Sequence, residues 1–206
     1  MHVLFVCNGN VCRSAIAERL TRAVAVEHGL HHLTAESAGT RALVGFPVEP
    51  LAAQAITGLG ADPSNFRARR LTSEMIDKAD LVLAMTEQIR DQTIEMGLGR
   101  GPRTFTLLEA QRIAHVTGAR TVSELHQARN DLSLVGRENI ADPVGLSAQA
   151  FCEVGDSIAE ALVPLLLALA PHEQPRSRND NRSGLVIRPG ATPAPLATFL
   201  AAQRTR

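Results

Sequence analysis

The chain has 206 residues, of which 45% are hydrophobic and 20% are charged, and this composition is typical of a globular protein and not of a disordered or fibrous one. Its 21 basic residues are balanced by 21 acidic ones, so the net charge gives no support for nucleic-acid binding. No stretch approaches the roughly 20 apolar residues that span a bilayer, and we expect neither nucleic acid nor a membrane among the partners.

Three cysteines are present, and none of them forms a Cys-x-x-Cys pair. This usage is typical of a reducing compartment and not of a disulfide scaffold. Together with the lack of a recognisable secretory signal, it predicts a cytoplasmic protein. The cysteines and histidines do not show the spacing of a zinc site, so we expect no metal and no cofactor.

The first predicted strand leads directly into a loop and a helix. Residues 3–6 form a short apolar run, and residues 14–28 carry apolar side chains at helical spacing. The loop between them reads Cys-Asn-Gly-Asn-Val-Cys-Arg-Ser. The backbone N–H groups of such a loop and of a helix N-terminus converge on one point, which predicts a phosphate site. The residues expected to bind the phosphate are Asn8, Gly9, Asn10, Val11, Cys12, Arg13 and Ser14.

Cys7 and Arg13 give this loop its predicted chemistry. The Arg13 guanidinium is a planar fork suited to phosphate oxygens and would close the ring around the anion. Cys7 would lie at the bottom of the ring, where the positive field stabilises a thiolate, the nucleophilic form of cysteine. The alternative interpretation is that Cys7 is a small buried hydrophobe that ends a strand. We favour the nucleophile because the complete loop motif, and not the cysteine alone, lies between the strand and the helix.

The rest of the chain predicts an alternation of strands and helices, which is typical of an α/β fold. Further strands are predicted at residues 33–38, 80–85 and 103–107. Further helices are predicted at residues 48–58, 86–96, 108–116 and 146–170, with another starting at Thr72. Residues 113–139 are the least readable: 122–129 is a turn or a helix, and 130–139 is a loop. We expect a three-layer α/β domain in which a four-stranded parallel sheet has helices on both faces.

The loop motif resembles the signature of the low-molecular-weight protein tyrosine phosphatase family. The similarity is strongest at residues 6–14 and 16–18 and extends over roughly residues 2–170. Further matching segments are residues 37–40, residues 79–85 and the Asp142-Pro143 pair. The resemblance implies the strand order 2-1-3-4, with the loop at the C-terminal end of the first strand, where open α/β sheets place their ligands.

The resemblance also implies roles for side chains around the loop. Asp142 would be the general acid that protonates the leaving oxygen, a role that an Asp-Pro pair alone does not indicate because this pair is common in turns. Ser14 would donate its hydroxyl to the Cys7 thiolate, and its alternative role is to cap the first helix. Ser37 would support the loop through the Asn10 side chain, unless it only fills a strand end.

Two further positions near the loop carry expectations of their own. Cys12 is close enough in sequence to Cys7 for a reversible disulfide that would protect Cys7 from irreversible oxidation, and its alternative role is a neutral filler of the loop. In the family a histidine often stands where this chain has Phe66, so we expect altered contacts behind the loop. The basic cluster of Arg67, Arg69 and Arg70 is interpreted as a solvated face, and its alternative role is a binding patch.

The walls of the predicted cleft lack the aromatic residues that are usual in the family. Leu43 and Val44 lie in the loop over residues 40–50, where an aromatic side chain would pack on a phosphotyrosine ring. Val144 follows the Asp-Pro pair, where a second aromatic is usual. Aliphatic side chains give apolar contact without ring stacking. We expect these three residues to form the substrate wall, and they leave the choice between phosphotyrosine, phosphoarginine and small phosphomonoesters open.

The composition changes at Pro171, after which Pro, Ser, Arg, Asn and Asp are frequent, as in linkers. We therefore predict a phosphatase-like catalytic domain over residues 1–170 and a linker with a C-terminal tail over residues 171–206. The Thr-Pro pair at 192–193 is typical of a helix start and predicts a short helix over residues 193–203.

The predicted activity is hydrolysis of a phosphomonoester, of the protein-tyrosine-phosphatase type, through a cysteinyl-phosphate intermediate. The expected partner is a phosphorylated protein or a small phosphomonoester. One alternative is a small-thiol-dependent arsenate reductase, which would use the same fold and the same nucleophile. A second alternative is a phosphate-binding module without turnover, which the changes at Leu43, Phe66 and Val144 motivate.

Overall fold

A four-stranded parallel sheet forms the middle layer of the computed structural model, which describes residues 1–97, 99–129 and 139–170. The strands are β1 (His2–Cys7), β2 (Thr34–Gly39), β3 (Leu81–Ala84) and β4 (Thr104–Thr106). They lie in the order β2-β1-β3-β4, and all three pairings are parallel. The predicted strand order is confirmed.

Helices cover both faces of this sheet. Those in the described residues are α1 (Arg13–Glu27), α2 (Pro50–Gly58), α3 (Ser73–Lys78), α4 (Glu87–Met96), α5 (Leu107–Thr117), α6 (Val122–Arg129) and α7 (Ala148–Leu169). Helix α7 packs against α1, α2 and α5, whereas α4 packs on β1, β3 and β4. The β1-to-β2 and β3-to-β4 connections run in opposite directions along the sheet. Crossovers between parallel strands are right-handed as a rule, which puts α1 and α4 on opposite faces. The contacts of α7 with α1 and of α4 with the sheet fit this arrangement, and the three-layer α/β architecture is confirmed.

Capping side chains explain where most of these helices begin. The hydroxyl groups that accept a backbone N–H three residues ahead belong to Thr72, Thr86, Thr106, Thr121 and Ser147. The Glu49 carboxylate does the same for α2 by accepting the Ala52 N–H at 2.8 Å. The helix predicted from residue 48 therefore starts at Pro50, a residue that suits the first helical position.

The central strand β1 is buried on both faces. Its residues 3–6 are fully buried, as expected for a strand with helices above and below it, and this explains the continuous apolar run in the sequence. Cys7 ends the strand in register with Gly39 of β2. The first predicted site residue therefore emerges at the C-terminal edge of the sheet, between two neighbouring strands.

Several predictions concern residues outside the described part of the chain. The predicted loop over residues 130–139 falls there except for Asn139, and so do the tail over 171–206 and its helix over 193–203. The domain boundary at residue 170 stays a prediction. Within the described residues, none of the helices combines the length and the hydropathy that a bilayer-spanning segment requires.

A buried cluster of charges joins α4, α5 and α6 beside β4. The Glu109 side chain is almost fully buried, and its Oε1 accepts a hydrogen bond from Arg129 Nε at 2.8 Å. Its Oε2 accepts the Thr106 backbone N–H at 3.0 Å and the Arg90 Nη1 at 3.4 Å. The Arg129 guanidinium also lies 3.8 Å from the centroid of the Phe105 ring. These contacts fix the end of α6 against the edge of the sheet.

We predict that Glu109→Ala lowers the free energy of unfolding by about 3 kcal/mol, because it leaves the cationic side chains of a buried cluster without their carboxylate. The measurement is urea denaturation followed by far-ultraviolet circular dichroism, since the chain has no tryptophan. Glu74→Ala is the matched control: it removes a carboxylate that pairs with Lys78 on the exposed surface of α3, and it should leave the midpoint nearly unchanged. Equal midpoints for the two variants would contradict this account.

Candidate active site

The loop between β1 and α1 is held in a tight curl by its neighbours. Asn10 has a φ of 55°, in the left-handed region that asparagine tolerates better than most residues. Three backbone N–H groups of the segment after β2 donate to the carbonyl oxygens of residues 7, 8 and 9 at 2.9–3.0 Å; they belong to Thr40, Arg41 and Leu43. The curl is therefore fixed from outside as well as by its own sequence.

Cys7 lies at the base of this curl, with 2% of its surface exposed. Its Sγ accepts the Asn10 backbone N–H at 3.2 Å and lies 2.9 Å from Ser14 Oγ. Two hydrogen-bond donors thus converge on the sulfur from the loop and from the first turn of α1. These contacts would stabilise a thiolate at this position, and the nucleophilic role of Cys7 stays a prediction.

The Asn10 side chain connects the groups behind the loop. Its Oδ1 accepts the Arg69 backbone N–H at 2.7 Å, which determines which end of the amide carries the hydrogens. Its Nδ2 then donates to Ser14 Oγ at 2.9 Å and to Ser37 Oγ at 2.8 Å. Because both serine oxygens receive a hydrogen from Asn10, each serine can donate its own hydroxyl hydrogen elsewhere.

Glu18 determines where those hydroxyl hydrogens point. Ser37 donates to Glu18 Oε2 at 2.5 Å, and a carboxylate can only accept. The Glu18 carboxylate is buried and also pairs with Arg22 at 2.7 Å. The remaining hydroxyl hydrogen, that of Ser14, is left for Cys7 Sγ. A directed series of hydrogen bonds therefore runs through the interior, with the sulfur and the buried carboxylate as its two ends.

The structure corrects the capping interpretation of Ser14. Helix α1 begins at Arg13, with Cys12 at the cap position and no side-chain cap bond. Ser14 lies inside the first turn, where its hydroxyl reaches the sulfur. Ser37, predicted to support the loop through Asn10, accepts a hydrogen bond from Asn10 Nδ2 at 2.8 Å.

Glu18 and Arg69 contribute to the site, although the sequence motifs did not point to either residue. Glu18 could have been found, since it lies four residues after Ser14 on the same buried face of α1. Arg69 was interpreted as part of a solvated face, and its side chain is 43% exposed. In addition, its backbone N–H holds Asn10 and its Nη2 donates to the Ser37 carbonyl oxygen at 3.1 Å. A backbone N–H is present in almost every residue type, so the sequence pattern does not reveal such a contact.

Arg13 and Asp142 form an ion pair at the mouth of the loop, although 129 residues separate them. Arg13 Nη2 donates to Asp142 Oδ2, and Arg13 Nη1 donates to the Ile140 carbonyl oxygen at 3.1 Å. The Ile140 N–H in turn donates to the Met85 carbonyl oxygen at 2.8 Å, just after β3. The Arg13 side chain is 6% exposed and that of Asp142 is 46% exposed. The predicted acid therefore lies beside the loop and remains accessible from solvent.

A cleft of about 370 Å³ opens beside this ion pair. Besides Arg13 and Asp142, its polar lining consists of Asn8, Thr40, Arg41, Thr86, Gln88, Gln92 and Asn139. The predicted wall residues Leu43, Val44 and Val144 are not part of this described lining, and their side chains are exposed on the two loops that flank the site. Phe46, an aromatic residue that the sequence analysis did not single out, is also exposed on the first of these loops.

Cys12 lies in the same loop as Cys7 and is buried. Burial, and to a smaller extent the neighbouring Cys7, raises the pKa of the Cys12 thiol to about 12. Cys12 is therefore a neutral thiol at physiological pH, as expected of a filler of the loop. The proposed disulfide with Cys7 stays a prediction.

Phe66, where the family resemblance implies a histidine, lies behind the loop, and its side chain cannot form a polar hydrogen bond there. The ring is buried, and the Arg19 guanidinium lies 5.4 Å from its centroid, within cation–π range. Arg19 Nε is also 4.0 Å from Glu18 Oε1. The positive charges near the Glu18 carboxylate therefore come from α1 itself, through Arg19 and Arg22, and not from residue 66.

Comparison with known proteins places this geometry among phosphatases. A sequence model described as "Low molecular weight phosphotyrosine protein phosphatase" matches residues 2–116. A protein-arginine-phosphatase of Bacillus subtilis (strain 168) is 32% identical over 163 residues, which cover 79% of this chain and 92% of that protein. A solved mutant of YwlE arginine phosphatase, with a phosphorylated active-site serine, superposes with a TM-score of 0.66 at 28% identity and covers 84% of this chain and 98% of the other.

A further relative matches over a shorter stretch. It is a probable low molecular weight protein-tyrosine-phosphatase, EpsP, of Ralstonia solanacearum, which is 40% identical over 83 residues, or 40% of this chain. The matched part is 54% of that protein, so the chain spans about half the length of the first curated relatives that it matches.

Gly39 provides a test of how closely the loop is packed. A methyl group at this position would collide with the Asn8 carbonyl oxygen and lie 3.0 Å from the Asn10 nitrogen. We predict that Gly39→Ala weakens the binding of inorganic phosphate by about tenfold or more, because overpacking of this kind costs on the order of 1–3 kcal/mol and would displace the loop. Isothermal titration calorimetry measures the affinity.

The matched control is Gly58→Ala in α2, where an added methyl group meets no atom within 4 Å. This variant should bind phosphate as the wild-type protein does and should be slightly more stable, since alanine favours a helix over glycine. Unchanged phosphate affinity in Gly39→Ala would show that the loop does not depend on this close contact.

Proposed function

Since the chain belongs to the low molecular weight phosphotyrosine protein phosphatase family, we propose that it hydrolyses phosphorylated side chains of proteins through a cysteinyl-phosphate. The observation that carries this proposal is the position of Cys7 Sγ, which receives donors from Asn10 and Ser14 below a mouth formed by Arg13 and Asp142. Nucleophile, anion-binding groups and proton donor are thus within one small region.

In the first step the Cys7 thiolate attacks phosphorus in line with the leaving oxygen. The S–P bond forms as the P–O bond breaks, and the electron pair of that bond goes to the leaving oxygen. The Arg13 fork and the backbone N–H groups of the loop bind the three non-bridging oxygens, whose charge distribution changes in the transition state. The Ser14 hydroxyl and the Asn10 N–H hold the sulfur in its attacking form.

Asp142 supplies the proton for the leaving oxygen. Its Oδ1 accepts the Val144 backbone N–H at 3.3 Å, which orients the carboxyl group within the turn. A phosphate that binds Arg13 competes for the guanidinium and releases Asp142 toward the leaving group. In the second step Asp142 accepts a proton from water, the water oxygen attacks phosphorus, and the S–P bond breaks. Inorganic phosphate and the thiolate result, with water as the only co-reactant.

The descriptions of the relatives support a protein substrate. They leave two candidates for its phosphorylated side chain, phosphotyrosine and phosphoarginine. The phosphorylated active-site serine of the YwlE mutant is consistent with transfer of the phosphoryl group to the enzyme. Phosphotyrosine is the first candidate, because the family description names it and EpsP is described as a probable protein-tyrosine-phosphatase. Phosphoarginine is the second candidate, because the relative matched over 92% of its length is a protein-arginine-phosphatase and the flanking residues Leu43 and Val144 are aliphatic.

We predict that Asp142→Asn lowers kcat on phenyl phosphate at least about 100-fold, because the amide cannot protonate the leaving oxygen. The loss should be smaller with p-nitrophenyl phosphate, whose leaving group is stable as an anion. Steady-state kinetics with both substrates measures the two losses. Asp156→Asn on α7 is the matched control and should retain wild-type rates, since Asp156 lies outside the site.

Two outcomes would replace this proposal. Equal, background-level hydrolysis by the wild-type protein and Asp142→Asn would favour a phosphate-binding module without turnover. Reduction of arsenate with a small thiol, without hydrolysis of either phosphate ester, would favour an arsenate reductase.

Cys12 is proposed to protect Cys7 through a disulfide formed when peroxide oxidises both thiols and is itself reduced to water. We predict that wild-type protein treated with hydrogen peroxide recovers most of its activity after dithiothreitol, whereas Cys12→Ser recovers less than half of its own starting activity. Cys152→Ser, which removes an exposed thiol on α7, should recover as the wild-type protein does. Equal recovery by all three proteins would show that Cys12 is only a filler.

A further inference from the structure

Arg41 places a second positive charge in the cleft beside Arg13. Its side chain lines the cleft and is exposed to solvent. Among the residues that the structure describes, no carboxylate or carbonyl oxygen pairs with the Arg41 guanidinium. This differs from Arg13, which pairs with Asp142, and from Arg69, which lies 3.5 Å from Glu36. The charge of Arg41 is therefore available to a ligand.

The backbone of Arg41 is fixed to the phosphate loop. Its N–H donates to the Asn8 carbonyl oxygen at 2.9 Å, and the N–H of the preceding Thr40 donates to the Cys7 carbonyl oxygen at 3.0 Å. The following residue, Ala42, is buried. The backbone hydrogen bonds that shape the loop also hold Arg41. The Arg41 side chain therefore begins at a fixed position beside the loop that would surround the phosphate.

The cleft offers this charge no acidic partner of its own. In the described lining the only carboxylate is that of Asp142, and Arg13 already binds it. Gln88 and Gln92, four residues apart on one face of α4, add neutral amide groups to the same cleft. A bound phosphate would be held by Arg13 and the loop N–H groups, so Arg41 remains for a different anionic group of the substrate.

We propose that Arg41 selects substrates in which an acidic side chain flanks the phosphorylated residue, and this inference rests on the proposed function. The recognised ligand is an acidic phosphopeptide: its phosphate occupies the loop, and a neighbouring carboxylate binds the Arg41 guanidinium, which is suited to carboxylates. Since the pair is exposed, the preference is modest, about two- to five-fold in kcat/KM, and it decreases with added salt.

The test compares two phosphotyrosine peptides that differ only in whether aspartate or alanine flanks the phosphotyrosine. For the wild-type protein we expect kcat/KM to be about two- to five-fold higher with the acidic peptide, mainly through a lower KM. Arg41→Gln should bring the ratio of the two values close to one, and Arg41→Glu should reverse the preference. Arg120→Gln removes the same charge from an exposed position between α5 and α6, outside the cleft, and should keep the wild-type ratio.

A ratio in Arg41→Gln equal to that of the wild-type protein would overturn the inference. An equal fall of the ratio in Arg120→Gln would also overturn it, because the preference would then follow net charge and not the cleft. Binding of both peptides to Cys7→Ser, measured by fluorescence polarisation, separates this inference from the proposed function. If no protein hydrolyses either peptide, the proposed function fails, and an Arg41-dependent ratio of Kd values still supports the inference. Absence of binding, or a ratio independent of Arg41, overturns it.

Discussion

The two amide hydrogens of the buried Asn10 side chain set the direction of the hydrogen bonds that Ser14 and Ser37 make behind the loop. Asn10 cannot turn its side chain over, because the Arg69 N–H holds Oδ1, so Nδ2 donates to Ser14 and Ser37. Ser37 then donates to Glu18, and Ser14 to the Cys7 sulfur. An unsatisfied polar group in this interior costs about 1–3 kcal/mol, so a reversed arrangement is disfavoured at several positions at once.

The parallel sheet explains why distant parts of the chain meet at one place. β1 lies between β2 and β3, so its C-terminal end, at Cys7, is flanked by the ends of both neighbours. The end of β2 brings Ser37 and Gly39 behind the loop, and the residue after β3 pairs with the backbone of Ile140. Helix α7, which follows the Asp142 turn, packs against α1, which starts at Arg13. Sheet and helices together thus fix the acid relative to the anion-binding arginine.

Features that depend on a short run of neighbouring residues could be predicted from the sequence. Contacts that depend on the tertiary packing of distant segments could not. The roles predicted for Cys7 and Arg13 follow from one short motif between a strand and a helix, and the strand order follows from the family resemblance. Asp142 needed that resemblance, because no spacing rule connects residues 129 positions apart. The two interpretations of Ser14 use the same hydroxyl, and only the start of α1 decides between them. The support from Arg69 is a backbone contact, which side-chain patterns do not record.

The ion pair between Arg13 and Asp142 makes the site favour divalent anions over monovalent ones. Any anion that reaches the guanidinium displaces a tethered carboxylate, which is present at high local concentration. A halide or acetate ion would replace the single negative charge of the Asp142 carboxylate with another single charge, so the exchange would gain little free energy. A phosphate monoester brings close to two charges and three acceptor oxygens, so a surplus of attraction remains after the exchange. The ion pair itself therefore favours a divalent anion over a monovalent one, without any separate gate.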